Sequence, residues 1–263
     1  MKKYMTGLSM LISLLLTGLH ANANAGEETE QLSPRAGVTL NISLIVPANP
    51  VASVILFPGG DGKIGISSYG IEKEGNFLVR TRDMFADRDM IVAVVDAPSD
   101  RQGQKGMLSG FRTSREHVAD IDTVIDYLQK KATVPVWLIG TSRGTESAAH
   151  VAIHTNKKIG GAILTASVTE SNSKGTAVTK MDLGNIQAPV LIASHKKDEC
   201  RVTPPSGAKK IKSKLKNAPV VEIKYYTGGK PPLSKPCEAK SEHGFYGIEE
   251  AVVGDIVQFI KGH

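Results

Sequence analysis

Short runs of consecutive aliphatic and β-branched residues recur along the chain, separated by longer stretches in which apolar residues return every three or four positions. The runs Val38 to Val46, Val51 to Phe57, Met90 to Asp96, Val134 to Ile139, Ile159 to Ala166, Pro189 to Ser194 and Val220 to Tyr226 predict strands. Between Arg115 and Lys130, Val118, Ile121, Val124, Ile125 and Leu128 share one face of a predicted helix, and Thr113 with Glu116 three residues later predicts its capping box. Helices are also predicted at Phe77 to Ala86, Arg143 to His154, Ser206 to Asn217 and Ile248 to Lys261, while Gly26 to Arg35 reads as a polar opening. Strands alternating with helix-length crossovers imply an α/β fold: a mostly parallel central sheet with helices on both faces, because parallel neighbours need long right-handed connections. No Pro- or Ser-rich linker interrupts residues 26–263, so a single domain is expected there.

The first 25 residues follow a different rule. Lys2 and Lys3 precede an apolar run from Leu8 to Leu19, and Ala23-Asn24-Ala25 places small residues where a secretory signal is cut. The run is shorter than the ~20 residues a bilayer span needs. Residues 1–25 are therefore expected to be a signal peptide cleaved before Gly26, which makes the mature protein exported, periplasmic or secreted, with no stable membrane span. No cysteine follows the run, so a lipid anchor is not indicated.

Composition narrows the class only slightly. The 263 residues carry 32 Lys and Arg against 26 Asp and Glu, a formal charge of +6 that falls to +4 once Lys2 and Lys3 leave. The excess is small and not gathered into one block, so nucleic acid is not an expected partner. A content of 41% hydrophobic residues is enough for a sizeable core and excludes intrinsic disorder.

The chemistry lies where a predicted strand meets a predicted helix. Pro135 to Ile139 runs directly into Gly140-Thr141-Ser142-Arg143-Gly144, a G-x-S-x-G string followed by the small residues Ser147, Ala148 and Ala149. That spacing suits a tight turn that thrusts a serine outward, with glycine two residues to either side because a Cβ there would strike neighbouring backbone. A serine hydroxyl is a weak nucleophile at neutral pH and needs a base, which in turn needs an orienting group. Asp198 follows the strand ending at Ser194, and His243 lies in a loop before the last helix, giving the chain order Ser, acid, His. Asp182 precedes that strand and Glu199 lies one residue further on, so both are weaker acids for the role. Of the other histidines, His20 leaves with the signal, His263 is terminal, and His117, His150 and His154 read as packed or surface residues on helices.

With these residues in place, the chain resembles the α/β-hydrolase fold family over nearly all of residues 51–263. The resemblance rests on Gly140 to Gly144, on Asp198 after its strand, on His243-Gly244-Phe245 and on the loop Phe57-Pro58-Gly59-Gly60-Asp61-Gly62. In that family the loop after the third strand, often beginning His-Gly, supplies one backbone N–H of the oxyanion hole, and the residue after the nucleophile supplies the other. Here Pro58 replaces the usual histidine. The resemblance implies Gly60, with Asp61 as the alternative, for the first donor and Arg143 for the second. It further implies a serine esterase or lipase-like enzyme in which Ser142 attacks a carbonyl, His243 moves the proton and Asp198 holds the imidazole, with no cofactor and no metal. The family's selecting cap would have to be built from Ser167 to Gln187 alone, so a small cap or none is expected, over a small-molecule or lipid-like ester.

Competing readings are weaker. Gly60-Asp61-Gly62-Lys63-Ile64-Gly65 also spells G-x-G-x-x-G, but Ser67, Ser68, Gly70 and Gly75 continue as loop and Asp96 comes too late for a ribose. His150 and His154 have zinc-helix spacing, with Val151 where the protease motif requires Glu. The same triad serves an acyltransferase or a peptidase, and a non-catalytic binding protein on this fold is the reading from another class. In an exported protein Cys200 and Cys237 are expected to pair, either clamping the acid loop to the histidine loop or stapling a loop rich in proline (Pro231, Pro232, Pro236). Lys209, Lys210, Lys212, Lys214 and Lys216 read as a solvated helix face, with an anionic surface as the alternative.

Overall fold

The computed structural model describes residue 1 and residues 26–263; the signal-peptide reading of residues 1–25 otherwise lies outside the described residues. Along the chain come β1 (Glu28–Arg35), β2 (Val38–Ile45), β3 (Ala52–Phe57), the short pair β4 (Ile66–Ser67) and β5 (Gly70–Ile71), α1 (Phe77–Arg80), α2 (Arg82–Ala86) and β6 (Met90–Val95). There follow α3 (Arg115–Lys131), β7 (Val136–Thr141), α4 (Gly144–His154), β8 (Gly161–Thr165), β9 (Val190–His195), α5 (Gly207–Lys212), β10 (Val221–Tyr226) and α6 (Glu249–Gly262).

The large sheet has the order β1-β2-β6-β3-β7-β8-β9-β10. From β6 to β10 every neighbour is parallel, while β1 and β2 add an antiparallel edge. Strand alternation divides the core into two layers. Ile55 and Phe57 of β3 and Ile91, Ala93 and Val95 of β6 pack towards α3, α4 and α5. Val54 and Leu56, with Met90, Val92 and Val94, pack towards α1, α2 and α6. Because both faces are covered, the central strands carry apolar side chains at every position, which is why they read as unbroken runs.

Several expectations change. Glu28–Arg35 is a strand, not a polar opening: it pairs with β2 at the sheet edge, and its pairing shifts between Leu32 and Arg35. An edge strand with one solvated face keeps polar residues, so the apolar signal is lost. The helix expected over residues 77–86 is two short helices meeting at Thr81, whose hydroxyl donates to Phe77 O at 2.8 Å. Ser114, not Thr113, caps α3, accepting from His117 N–H at 3.2 Å. The helix after β9 ends at Lys212 instead of running to Asn217. Among the described residues no helix is long and apolar enough to cross a membrane.

Candidate active site

The loops following β3, β7 and β9 leave the C-terminal edge of the parallel strands, where open α/β sheets place ligands. Ser142 sits between β7 and α4 with φ 52°, the left-handed region that a non-glycine residue adopts only under constraint. The constraint is visible in the bonds around it: Ser142 N–H donates to Thr165 O at 3.0 Å, and Ser142 O accepts from Thr145 N–H at 3.0 Å. A Cβ on Gly140 would lie 2.3 Å from Gly144 O, and one on Gly144 only 1.9 Å from Phe57 O. Backbone packs against backbone at both glycines, so the turn cannot open to admit a side chain.

Asp198 and His243 meet. His243 Nδ1 lies 3.0 Å from Asp198 Oδ2, and both side chains are buried. An ionised carboxylate only accepts, so Nδ1 carries the proton and Nε2 is left as the acceptor. The carboxylate is held in turn by Cys200 N–H on Oδ1 at 2.9 Å and by the Thr203 hydroxyl on Oδ2 at 2.9 Å. The Thr203 oxygen is also 3.1 Å from His243 Nδ1. The Cys200–Cys237 disulfide is formed, tying the loop after Asp198 to the segment that leads into His243. No hydrogen bond joins the Ser142 hydroxyl to His243 in this structure.

Gly59 is so close to Ser142 that a Cβ there would lie 3.0 Å from Ser142 Cβ. Gly60 has φ 61°, and neither its N–H nor that of Arg143 finds a partner among the described residues. The Arg143 guanidinium is turned away, donating to Glu146 Oε1 at 2.8 Å and Asn172 Oδ1 at 2.5 Å. Glu146 also accepts from Thr176 N–H at 3.1 Å, so the short segment after β8 is pinned to the helix behind Ser142. Burial pushes the Glu146 carboxyl above its usual range, against the pull of Arg143.

Other candidates fall elsewhere. His195 has both ring nitrogens engaged, with Gly228 O and Lys197 N–H, each at 3.1 Å. His117 is buried between the Phe57 and Phe111 rings. The His150 and His154 rings lie 4.3 Å apart on α4, tilted at 51° to each other, and burial followed by the neighbouring His154 pulls the His150 pKa down to about 4. Asp198, Cys200 and His243 cluster as a metal site would, but the Cys200 sulfur belongs to the disulfide and two ligand atoms remain. Asp96 is committed to structure, its carboxylate accepting from the N–H groups of Ile64, Ile66 and Ala97. The cleft of about 540 Å³ bounded by Asp96, Asn41 and Gln102 therefore lies beside β2 and β6, away from Ser142. Thr203, Glu146 and Asn172 carry no sequence signal: each is an ordinary polar residue until the fold brings it to the site.

Strand order, the turn at Ser142 and the loops at the sheet's C-terminal edge define the α/β-hydrolase fold, and the chain has that fold. It is similar in structure to an esterase of Pyrococcus furiosus (TM-score 0.64, 13% identity, 90% of this chain and 92% of that one). It is likewise similar to an α/β serine hydrolase without lid from Xanthomonas campestris (TM-score 0.61, 15% identity, 89% and 94%). A dipeptidyl peptidase 4 of Porphyromonas gingivalis matches with TM-score 0.65 and 13% identity over 91% of this chain and 36% of its own. No protein-family model matches the sequence, and no curated protein matches it.

Proposed function

We propose that the protein is an exported serine hydrolase of carboxylic esters, with Ser142 as nucleophile, His243 as general base and acid, and Asp198 as the group that orients the imidazole. The observation that carries this reading is the left-handed Ser142 at the strand-to-helix turn of a fold whose buried Asp198–His243 pair leaves Nε2 free to accept. Ser142 Oγ attacks the ester carbonyl carbon as its proton passes to His243 Nε2. The carbonyl oxygen becomes an oxyanion that the Gly60 and Arg143 N–H groups are free to bind, each such donor typically being worth ~3 kcal/mol of barrier. His243 then protonates the departing alcohol, and water, activated by the same imidazole, releases the acid from the acyl-enzyme. The short, pinned segment after β8 supports an open site suited to a small-molecule or lipid-like ester.

The peptidase among the structural relatives keeps a second reading in play: the same constellation acting on an amide. Labelling with a fluorophosphonate, together with turnover of paired ester and amide substrates of one acyl group, separates them. The parent should label and cleave the ester, and Ser142→Ala should do neither. An unlabelled parent, or a variant with unchanged turnover, overturns the proposal; preferential amide cleavage replaces it with the peptidase.

A further inference from the structure

Arg112 is 1% exposed, yet among the described residues no carboxylate is hydrogen-bonded to it. Burial pulls its pKa down to about 10, so the charge is kept at a cost, with Glu146 the largest opposing influence. Its partners belong to two walls of the candidate site. Nη2 donates to Pro58 O at 2.9 Å and approaches Gly60 O at 3.4 Å, while Nη1 donates to Ser147 Oγ on α4 at 2.8 Å. Pro58 O and Gly60 O belong to alternate peptide units. The unit between them carries Gly59 O, which accepts from Gly62 N–H at 3.3 Å, and the unpartnered Gly60 N–H. Because a peptide unit is planar and trans, holding Gly59 O on Gly62 N–H points the Gly60 N–H the opposite way, and Arg112 holds the peptide units on both sides in place. A planar fork with several donors can hold two carbonyls and a hydroxyl at once, whereas an ammonium is a single point on a flexible stem.

We propose that Arg112 is a positioning residue for the oxyanion hole: it aims the Gly60 N–H by clamping the Pro58–Gly60 loop to the helix behind Ser142. The proposal rests on the hydrolase reading. The loop carries Pro58, which has no side chain able to hydrogen-bond, and Arg112 supplies an anchor from outside it.

The test uses Arg112→Lys, which keeps a charge and loses the fork, and Arg112→Met, which loses both. Fluorophosphonate titration counts active sites, so kcat is read per labelled site, alongside KM, melting temperature and the affinity for a trifluoromethyl ketone analogue of the substrate. kcat should fall about 10-fold in Arg112→Lys and about 100-fold in Arg112→Met, with KM within about threefold. Affinity for the ketone should fall by the same factor as kcat/KM, because both report binding of the oxyanion. A merely structural arginine would lower the melting temperature and the labelled fraction and leave kcat per site unchanged; that result overturns the proposal. Ser147→Ala, which removes only the Nη1 partner, decides the matter if the Arg112 variants do not fold: a fall of about threefold in kcat supports the clamp, and an unchanged kcat overturns it. A parent that does not label removes the hydrolase reading itself, whereas a labelled parent with unaffected variants removes the clamp alone.

Discussion

Replacing Cys200 and Cys237 together by serine opens a covalent loop of 37 residues that ends two residues beyond Asp198 and six before His243. In the chain-entropy account a loop of that length restricts the unfolded chain by about 4 kcal/mol at 25 °C. An unfolding entropy of ~2 cal/mol/K per residue over some 240 residues gives ~0.5 kcal/mol/K, so the melting temperature should drop by about 8 °C. Cys237 is exposed while Cys200 is buried, so reductant reaches the bridge from the Cys237 side. The assay is thermal unfolding of the parent, the reduced parent and the double variant, with turnover per labelled site measured well below the lowest transition. A shift under about 2 °C would refute the entropic reasoning. The bridge also holds the acid loop against the histidine segment, although the Cys200 N–H bond to Asp198 is made by backbone and survives the substitution. Turnover per site should therefore fall on reduction while the protein stays folded. Unchanged turnover would leave the bridge a stabiliser of the proline-rich loop and nothing more.

Asp198→Asn keeps the shape of the side chain but removes the charge that fixes the His243 tautomer, and kcat should fall by about 10⁴ with little change in melting temperature; a loss under tenfold would remove Asp198 from the mechanism. Gly144→Ala forces a Cβ against Phe57 O and should cost about 3 kcal/mol or more, seen as a lowered melting temperature or loss of folded protein; near-parent stability would show that the turn relaxes. His117, with neither ring nitrogen partnered among the described residues, has its pKa held well below the usual imidazole value by burial and then by Arg112. Below about pH 6.5 the unfolded chain therefore takes up a proton that the fold refuses, so the stability present at pH 7 is progressively lost as the pH falls. His117→Leu should flatten that loss in urea unfolding between pH 7 and 5, and an unchanged slope would contradict the assignment.

Much of this architecture is written locally. Uninterrupted apolar runs mark β3, β6, β7, β8 and β9 because both faces of a covered parallel sheet are dry, and the three-to-four spacing in α3 marks a helix with a single buried side. The Gly140-Thr141-Ser142-Arg143-Gly144 string is legible because its chemistry depends on neighbours in sequence, and the ordering of Asp198 and His243 follows from the strands that precede them. β1 is not legible, since an edge strand needs no apolar repeat, and neither is the break at Thr81, where side chain and backbone compete for one carbonyl. The contacts that adjust the site were decided only in three dimensions. Thr203 on Asp198, Glu146 between Arg143 and the segment after β8, and Arg112 between the Pro58–Gly60 loop and α4 join residues as much as 54 positions apart, and Thr203, Glu146 and Arg112 carry no motif. A sequence specifies hydrogen-bonding groups one at a time. Whether a charged group such as Arg112 ends in water or is buried against two carbonyls depends on burial, and burial is a property of the assembled chain.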